Sequence, residues 1–447
     1  MKTVLSRSPR GQTLRVATWL SVSSKPRIPV RWIASNARAR FPGAVGSQLV
    51  TTMDFVIASN YPIIPIYGVM NADGYMEDKT RPRPAVTTEQ ALTWYRNMLT
   101  INIMDTIMFE AQRQGRISFY MASAGEEGIT VGSAAALGPD DVITCQYRET
   151  GVFQQRGFTL KDFMSQLTSN KNDAGKGRNM PAHYSGKVKT GVHAVASTLG
   201  TQIPHATGAA YALKMEALEN PTLAPRVAAA YFGDGAASEG DFHGALNIAA
   251  TRGCPVIFIC RNNGFAISTP SSEQYRGDGI ASRAIGYGID ALRVNGTDIF
   301  AVYEATAEAR RRALEDGGKP ILLEMMSYRV SHHSTSDDSF AYRTHDEVER
   351  WKREGNPLTR LRRWLENEGL WSEEMEQSER KEIRKNILNE LEAAEKEKKP
   401  ALRAMFDDVY AELTEEAEAQ KKELRRLMLK FPGEYDVDEH EGGIEGF

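Results

Sequence analysis

The sequence predicts an α/β fold in which helices flank a mostly parallel sheet. Its clearest part is a strand-helix-strand pattern: an apolar run over residues 226–232, a helix-like segment over 238–250 and a second apolar run over 256–260. A strand, a helix and a strand in that length are what a parallel crossover needs. Two further runs, over residues 140–145 and 321–329, also read as strands.

The composition is typical of a soluble globular protein. The chain has 447 residues, of which 41% are hydrophobic and 25% charged, enough for two or three domains or for one large domain with extensions. A net charge of −3 gives no indication of nucleic acid as a partner, and the longest apolar runs are too short to span a membrane. Cys145, Cys254 and Cys260 have neither a metal-binding spacing nor a disulfide pattern.

The first fifty residues are basic. They contain nine lysines or arginines and many serines and threonines, and the first acidic residue of the chain is Asp54. Because no long apolar stretch accompanies them, they predict a mitochondrial transit peptide over residues 1–45 rather than a secretory signal, with cleavage near residues 38–41. The alternative is a basic arm with another purpose.

Three regions are predicted after that segment. They are an extended arm with a first helix, an α/β domain that includes a loop over 331–345, and a charged helical region expected to contact partner subunits, over residues 46–105, 106–345 and 346–447. The prolines of segment 61–67 exclude a helix there. Thr87 and Gln90 have the pattern of a capping box, which predicts the start of the first helix.

Two polar turns follow the two strands of the crossover. Gly233, Asp234 and Gly235 end the first strand, and Asn262 and Asn263 end the second. The carboxyl ends of parallel strands form the ligand crevice of open α/β sheets, where glycines let backbone N–H groups approach a phosphate. A carboxylate and an amide oxygen suit Mg²⁺, which completes its shell with phosphate and water. Each turn alone is an ordinary signal, but the combination predicts a phosphate and magnesium site.

Four other segments carry candidate residues with open alternatives. Tyr147 and Arg148, at a strand end, suit either a phosphate or a surface ion pair. The basic loop 175–178 binds an anion or is simply solvated, and loop 196–202 coordinates an alkali cation or caps the helix after it. Segment 331–339 places two histidines among hydroxyls and acids, which indicates an active-site loop and a phosphorylation target.

Six segments together resemble one family. They read YFGDGAASEG, CRNNGFAISTP, SEQYRGDGI, QYRE, GKGRNMP and YRVSHHSTSDDS, and they resemble the E1 α subunits of mitochondrial branched-chain 2-oxoacid dehydrogenase complexes. The resemblance implies a thiamine-diphosphate-binding fold, an α2β2 heterotetramer with a β subunit, and a cofactor held between an α and a β chain. It also implies acyl transfer to lipoamide on E2, the lipoyl acyltransferase core, and a location in the mitochondrial matrix.

The resemblance further implies a role for each matching residue. His333 matches a catalytic histidine near the diphosphate. Cofactor contacts are implied at Tyr147, Arg148, Ser197, Leu199, Asp234, Gly235, Ala236, Arg261, Asn263 and His333. Metal ligands are implied at Asp234, Asn263 and the carbonyl of Phe265 for Mg²⁺, and at Ala196, Thr198, Thr201 and Gln202 for K⁺. Phosphorylation by a regulatory kinase, reversed by a phosphatase, is implied at Ser334 and Thr344.

Three departures from the family pattern bear on these roles. Asp234 replaces a glutamate, which keeps a carboxylate for the metal. Phe265 replaces a tyrosine, which keeps the backbone carbonyl. Ala196 and Thr198 replace a serine and a proline in the cation loop, where carbonyls remain as ligands but the basis for a K⁺ site is smaller.

Three other functions compete with this interpretation. The pyruvate dehydrogenase E1 α subunit is a related enzyme, but the HHSTSDDS loop favours the branched-chain family. A nicotinamide-dependent oxidoreductase requires G-x-G-x-x-G after the first strand, a spacing that GDGAASEG lacks. A non-catalytic binding subunit would not need Arg148, Asp234, Asn263 and His333 together.

Overall fold

A computed structural model describes residues 34–38, 41, 43, 46–186 and 190–447. Most of the predicted transit peptide, including residues 39 and 40 beside its predicted cleavage position, therefore lies outside the described residues. Up to Tyr61, the described residues form a unit of their own with one antiparallel pair of strands, and Pro62 to Phe447 form a second compact unit. The predicted boundaries near 45, 105 and 345 stay predictions.

The strands and helices are as follows. The strands are β1 Ala34–Arg38, β2 Gln48–Val50, β3 Ile66–Tyr67, β4 Val142–Thr144, β5 Ala228–Gly233, β6 Val256–Asn262, β7 Phe265–Ala266, β8 Thr269–Pro270, β9 Asp290–Asn295 and β10 Ile321–Met326. The helices are α1 Thr88–Arg113, α2 Glu127–Ala136, α3 Thr150–Gln155, α4 Leu160–Leu167, α5 Gln202–Glu219, α6 Gly240–Arg252, α7 Ser271–Gln274, α8 Ala281–Gly286, α9 Ile299–Ala313, α10 His345–Glu354, α11 Pro357–Asn367, α12 Glu373–Glu395 and α13 Glu415–Lys430.

The second unit is built on a six-stranded sheet with the order β3-β9-β10-β6-β5-β4. Every neighbouring pair in this sheet is parallel, whereas β7 and β8 form a small antiparallel hairpin. The predicted crossover is β5-α6-β6, and its strands end at Gly233 and Asn262. The predicted α/β class with a mostly parallel sheet is confirmed.

Helices cover both faces of the sheet, and the residues of strand β5 contribute to the hydrophobic core on each face. Tyr231 belongs to the buried cluster that contains Trp94 of α1 and Phe300 of α9. Its neighbour Phe232 belongs to a second cluster with Phe242 of α6. Successive strand residues point to opposite faces, so a strand buried on both sides reads as a continuous apolar run.

The first helix of the second unit, α1, starts where the sequence predicts. Thr87 accepts a hydrogen bond from the N–H of Gln90, and the Gln90 side chain accepts one from the N–H of Thr87, so the predicted capping box is confirmed. Helices α11 and α12 are rich in charged residues, and their buried apolar residues, Leu361 and Ile387 among them, join the cluster of α1. In the described part of the chain, no helix has the length and apolar character needed to cross a membrane.

The basic loop 175–178 has a structural partner. Lys176 pairs with the carboxylate of Asp408, and Arg178 donates to the same carboxylate at 3.2 Å. Arg178 also donates to the carbonyl of Asp407 at 2.8 Å. The loop fastens the C-terminal segment to the domain, a role that neither sequence alternative anticipated.

Asp298 joins the edge of the sheet to the helix after β9. Its Oδ1 accepts hydrogen bonds from the N–H groups of Phe300 (3.1 Å) and Ala301 (3.2 Å), which caps α9. Its Oδ2 accepts from the N–H groups of Val69 and Met70, both at 2.7 Å. One buried carboxylate therefore satisfies four backbone donors from two distant segments.

We expect Asp298→Ala to lower the free energy of unfolding by about 2–4 kcal/mol, because it removes a helix cap and leaves two further N–H groups buried without acceptors. The measurement is thermal or urea unfolding of the purified protein. Ser372→Ala is the control, since it removes only the single cap bond to Met375 on α12, at a cost of about 1 kcal/mol. Equal losses for the two variants would contradict the assignment.

Candidate functional site

The carboxyl ends of β5 and β6 open onto a cavity of about 220 Å³. It is lined by Gln146, Tyr147, Arg148, Leu199, Gly233, Asp234, Gly235, Ala236, Glu239, Arg261, Asn263, Phe265, Ala266, Ile267, Arg329 and His333. With the exception of Ser197, every residue for which a cofactor contact is predicted lines this cavity, and Phe265 does too. Ser197 is exposed to solvent.

Two arginines that line the cavity form buried ion pairs with carboxylates behind them. Arg261 is only 2% exposed and donates to the carboxylates of Glu126 at 2.7 Å and Glu149 at 2.5 Å. The Nε of Arg148 lies 3.7 Å from Glu126. Burial alone would lower the pKa of Arg261, but Glu149 and Glu126 raise it above its usual value. Arg148 is buried, so the surface ion pair considered for it is wrong.

Glu126 also fixes the orientation of Asn263. The Asn263 Nδ2 donates to Glu126 at 2.5 Å, and its Oδ1 accepts from the N–H of Phe265 at 3.1 Å. A carboxylate can only accept, so the amide nitrogen must face Glu126. The carbonyl oxygen of Asn263 therefore lies on the other side of the amide, with one lone pair left for a further partner.

Asp234 is a buried carboxylate with few hydrogen bonds to balance its charge. Its Oδ2 accepts one hydrogen bond from the Gln274 side chain at 2.9 Å, and burial raises its pKa. A buried carboxylate of this kind is stabilised by a cation. Among the described residues no group of three or more His, Cys, Asp and Glu side chains could hold a metal ion. The donors of Asp234, Asn263 and a backbone carbonyl fit Mg²⁺ that draws its other ligands from phosphate and water.

Arg329 is a buried cation that faces the cavity. It is 1% exposed, and its hydrogen bonds go to neutral groups: the carbonyl of Ile267 at 2.7 Å and the hydroxyl of Tyr342 at 2.6 Å. Its Nε has no partner among the described residues. Burial, followed by the nearby charge of Arg148, lowers its pKa. An anionic group in the cavity would compensate this charge, so the donors fit a phosphate.

His333 is held between two arginines. Its Nδ1 lies 3.3 Å from Nη2 of Arg148 and 3.4 Å from Nη1 of Arg329. Because arginine can only donate, Nδ1 accepts and the ring proton resides on Nε2. Burial and then the charges of Arg148 and Arg329 lower the pKa of His333 to about 3. The imidazole is therefore neutral at physiological pH when no anion is bound.

The loop over residues 331–345 places its two candidate hydroxyls differently. Ser334 is buried, and its Oγ accepts from the N–H of Ser336 at 3.2 Å. Thr344 is exposed and caps α10, where its Oγ1 accepts from the N–H of Glu347 at 3.2 Å. The N–H of His333 donates to Asp337 at 2.7 Å, which anchors the loop.

Loop 196–202 does not bring its candidate cation ligands into the cavity; only Leu199 reaches it. Ala196 and Thr198 are exposed. The hydroxyl of Thr201 donates to the carbonyl of Thr198 at 3.0 Å and makes no cap bond, so the capping role considered for this loop is wrong for Thr201. Gln202 is the first residue of α5, and its amide donates to the carbonyl of Tyr231 at 3.1 Å.

Sequence reasoning missed Gln146 and Glu239 of the cavity lining and four residues that pair with or face the site, Glu126, Glu149, Gln274 and Arg329. Glu126 sits in Gly125-Glu-Glu-Gly128, where adjacent acids between glycines are a usable signal. Glu149 directly follows the Tyr-Arg pair that was singled out. Gln274 and Arg329 carry no local signal, because their partners are distant in sequence.

Comparison with known proteins identifies a family model and several relatives that this chain matches. The model of the family described as Dehydrogenase E1 component matches residues 95–403. The chain is similar to "2-oxoisovalerate dehydrogenase subunit alpha, mitochondrial" of three organisms. Identity is 49% with the Mus musculus protein, over 90% of this chain and 89% of the relative. It is 47% with that of Homo sapiens, over 94% and 93%, and 48% with that of Caenorhabditis elegans, over 90% and 91%.

We expect His333→Gln to change how stability depends on pH in the absence of added anions. The unfolded chain protonates His333 near its ordinary pKa, whereas the folded chain keeps it neutral down to about pH 3. The stability contributed by the neutral ring is present above the unfolded pKa of about 6.5 and is lost as pH falls, by up to about 1.4 kcal/mol per pH unit.

Thermal unfolding of wild type and His333→Gln at about pH 7.5 and about pH 5.5 measures this effect. The wild type should lose more stability than the variant at the lower pH. Parallel losses would show that the imidazole titrates alike in the folded and unfolded chains.

Proposed function

The chain belongs to the dehydrogenase E1 component family, and we propose that it is the α subunit of the E1 decarboxylase of a branched-chain 2-oxoacid dehydrogenase complex. The observation that carries this proposal is the likeness, over 90% or more of the chain, to relatives named 2-oxoisovalerate dehydrogenase subunit alpha. The reaction is the oxidative decarboxylation of branched-chain 2-oxoacids such as 3-methyl-2-oxobutanoate, with transfer of the 2-methylpropanoyl group to lipoamide on E2.

Membership of this family implies thiamine diphosphate as the cofactor. In this proposal Tyr147 and Arg148 hold the diphosphate, and His333 lies near it. Arg329 joins them because it lines the cavity, its hydrogen bonds go to neutral groups and its Nε–H has no acceptor among the described residues. The side chains of Asp234 and Asn263 with the carbonyl of Phe265 hold Mg²⁺. When bound, thiamine diphosphate supplies the thiazolium chemistry that stabilises the carbanion left by loss of CO₂.

The remaining contacts are proposed for the walls of the cavity. Arg261, Leu199 and Ala236 line it, and Gly235 lets the backbone come close, since a Cβ there would lie 2.9 Å from Cβ of Ala266. Support for Ser197 and for the K⁺ ligands rests on the resemblance alone, because these residues do not line the cavity. The K⁺ ligands are Ala196, Thr198, Thr201 and Gln202.

His333 is the proposed catalytic residue. Its proton on Nε2 makes it a hydrogen-bond donor towards the substrate or the acyl group rather than a cation. Burial and then the charges of Arg148 and Arg329 lower the pKa of His333, so an anion bound at these two arginines raises that pKa only in part. The same position lets it orient the lipoyl arm.

The proposed partners follow from the family. An α subunit of this enzyme requires a β subunit, and we assign the chain to an α2β2 heterotetramer in which the β chain supplies the carboxylate that activates the aminopyrimidine. E2 is the acyl acceptor. The location is mitochondrial, as the names of the relatives state, and the basic N-terminal segment agrees with import into the matrix.

Regulation by a kinase and a phosphatase is proposed at Ser334 and Thr344. The buried hydroxyl of Ser334 has to leave its bond to Ser336 before a kinase can reach it. A phosphoryl group there adds about two negative charges beside an anionic cofactor. Because the N–H of His333 is anchored on Asp337 in the same loop, displacement of Ser334 also displaces His333.

The first test is turnover by the reconstituted heterotetramer. We expect thiamine-diphosphate-dependent decarboxylation of 3-methyl-2-oxobutanoate in preference to pyruvate, and no turnover by the α chain alone. His333→Ala should largely abolish acyl transfer to lipoamide while thiamine diphosphate still binds. His205→Ala, which replaces an exposed histidine on α5, is the control and should retain activity.

The outcomes separate the competing functions. Preference for pyruvate would identify a pyruvate dehydrogenase α subunit instead. Cofactor binding without turnover of either 2-oxoacid would favour a non-catalytic subunit. Near-normal acylation of lipoamide by His333→Ala would remove that residue from the chemistry.

The second test concerns the regulatory loop. Phosphorylation of Ser334 should make residues 334–344 sensitive to protease, because charge repulsion breaks the packing that buries this serine. Limited proteolysis of phosphorylated and unmodified heterotetramer, with Ser334→Ala as the control, measures the effect. Unchanged cleavage together with unchanged activity would argue against the regulatory role.

A further inference from the structure

Asp105 is a buried acid in the middle of α1, outside the cavity. It is 3% exposed, and the buried side chains of Met104 and Met108 lie beside it on the helix. Its Oδ1 accepts from the hydroxyl of Tyr120 at 2.7 Å, and its Oδ2 accepts from the N–H of Ser123 at 2.6 Å. Burial is the main reason why the pKa of Asp105 rises to about 7. Burying an acid here costs free energy of folding. What Asp105 provides in return is two hydrogen bonds that an apolar side chain could not make.

Both donors belong to one stretch that is neither helix nor strand, residues 120–124, which we call the bridging segment. One side of it holds Arg148: the carbonyl of Ala122 accepts from Nη1 of Arg148 at 2.5 Å, and the hydroxyl of Ser123 donates to the carbonyl of Arg148 at 3.3 Å. The bridging segment thus carries both an acceptor for the guanidinium and a donor for the backbone of the same arginine.

The other side of the bridging segment holds the loop that carries His333. Tyr120 donates its N–H to the hydroxyl of Thr335 at 3.2 Å and accepts from the N–H of Thr335 at 3.1 Å. The carbonyl of Ala124 accepts from the N–H of Val330 at 3.1 Å. The loop is therefore tied to the bridging segment on both sides of His333.

We propose that Asp105 is a positioning residue, which holds the bridging segment so that Arg148 and His333 keep their places at the cofactor. This inference rests on the proposed function. Asp105 contacts neither Arg148 nor His333. It hydrogen-bonds Tyr120 and Ser123, and these two residues hydrogen-bond Thr335 and Arg148. A core residue without this role would affect stability alone.

The chain offers a matched pair of variants to separate the two roles. Tyr120→Phe and Tyr95→Phe each remove a buried hydroxyl that donates to a buried carboxylate, Asp105 in one case and Glu376 at 2.6 Å in the other. Tyr95 lies on α1, as Asp105 does, but its hydroxyl bonds to α12 and not to the bridging segment. Both variants should lower the midpoint of thermal unfolding to a similar extent.

The experiment uses cofactor-depleted α2β2 heterotetramer. Thiamine diphosphate with Mg²⁺ is titrated into each variant by calorimetry, and the loop 331–345 is probed with trypsin. Tyr120→Phe should weaken cofactor binding about tenfold, the factor that ~1.4 kcal/mol produces, and should speed cleavage of the loop. Tyr95→Phe should do neither. Asp105→Asn should stay close to wild type, because its Oδ1 can serve the N–H of Ser123 while its Nδ2 donates to the rotated Tyr120 hydroxyl.

Equal affinities and equal cleavage rates for Tyr120→Phe and Tyr95→Phe would overturn the proposal and leave Asp105 as a core residue. If wild-type heterotetramer fails to bind thiamine diphosphate, the proposed function is wrong. The trypsin comparison then still decides whether Tyr120 and Asp105 hold the loop.

Discussion

A single buried carboxylate, that of Glu126, accepts hydrogen bonds from Arg261 and Asn263 and lies beside Arg148. It joins the turn before α2 to the carboxyl end of β6. Removing one member of a buried ion pair leaves an uncompensated charge, which typically costs about 3–5 kcal/mol. The same carboxylate fixes which face of the Asn263 amide looks into the cavity, so charge balance and ligand geometry at this site have one origin.

The charges around the cavity explain why it suits an anion. Glu126 and Glu149 compensate Arg261, and Arg148 shares Glu126, but Arg329 has only neutral partners. Among the described residues, Arg329 is therefore a cation at the cavity wall without a hydrogen-bonded carboxylate, and Asp234 is a buried carboxylate without a hydrogen-bonded cation nearby. A diphosphate with a divalent cation satisfies both, whereas either ion alone would leave the other group without a partner.

The fold and the centre of the site were predictable from sequence because their signals are local. The apolar run ending in Gly233 and the Asn262-Asn263 turn each report a strand end, and parallel pairing brings such ends together. Other features depend on pairings across the chain. Gln274 meets Asp234 only because the β7-β8 hairpin is followed by α7. Likewise the burial of Arg148 follows from a carboxylate and a loop far from it in sequence, so local rules favoured a surface ion pair.

The edge of the sheet has a consequence for how the chain reaches its native state. Strand β3 pairs with β9, and the N–H of Val69 is satisfied by Asp298, 229 residues later. During synthesis from the N-terminus, the N–H of Val69 has no native acceptor until almost three hundred residues have left the ribosome. Contacts of such long range slow folding and prolong exposure of unpaired backbone.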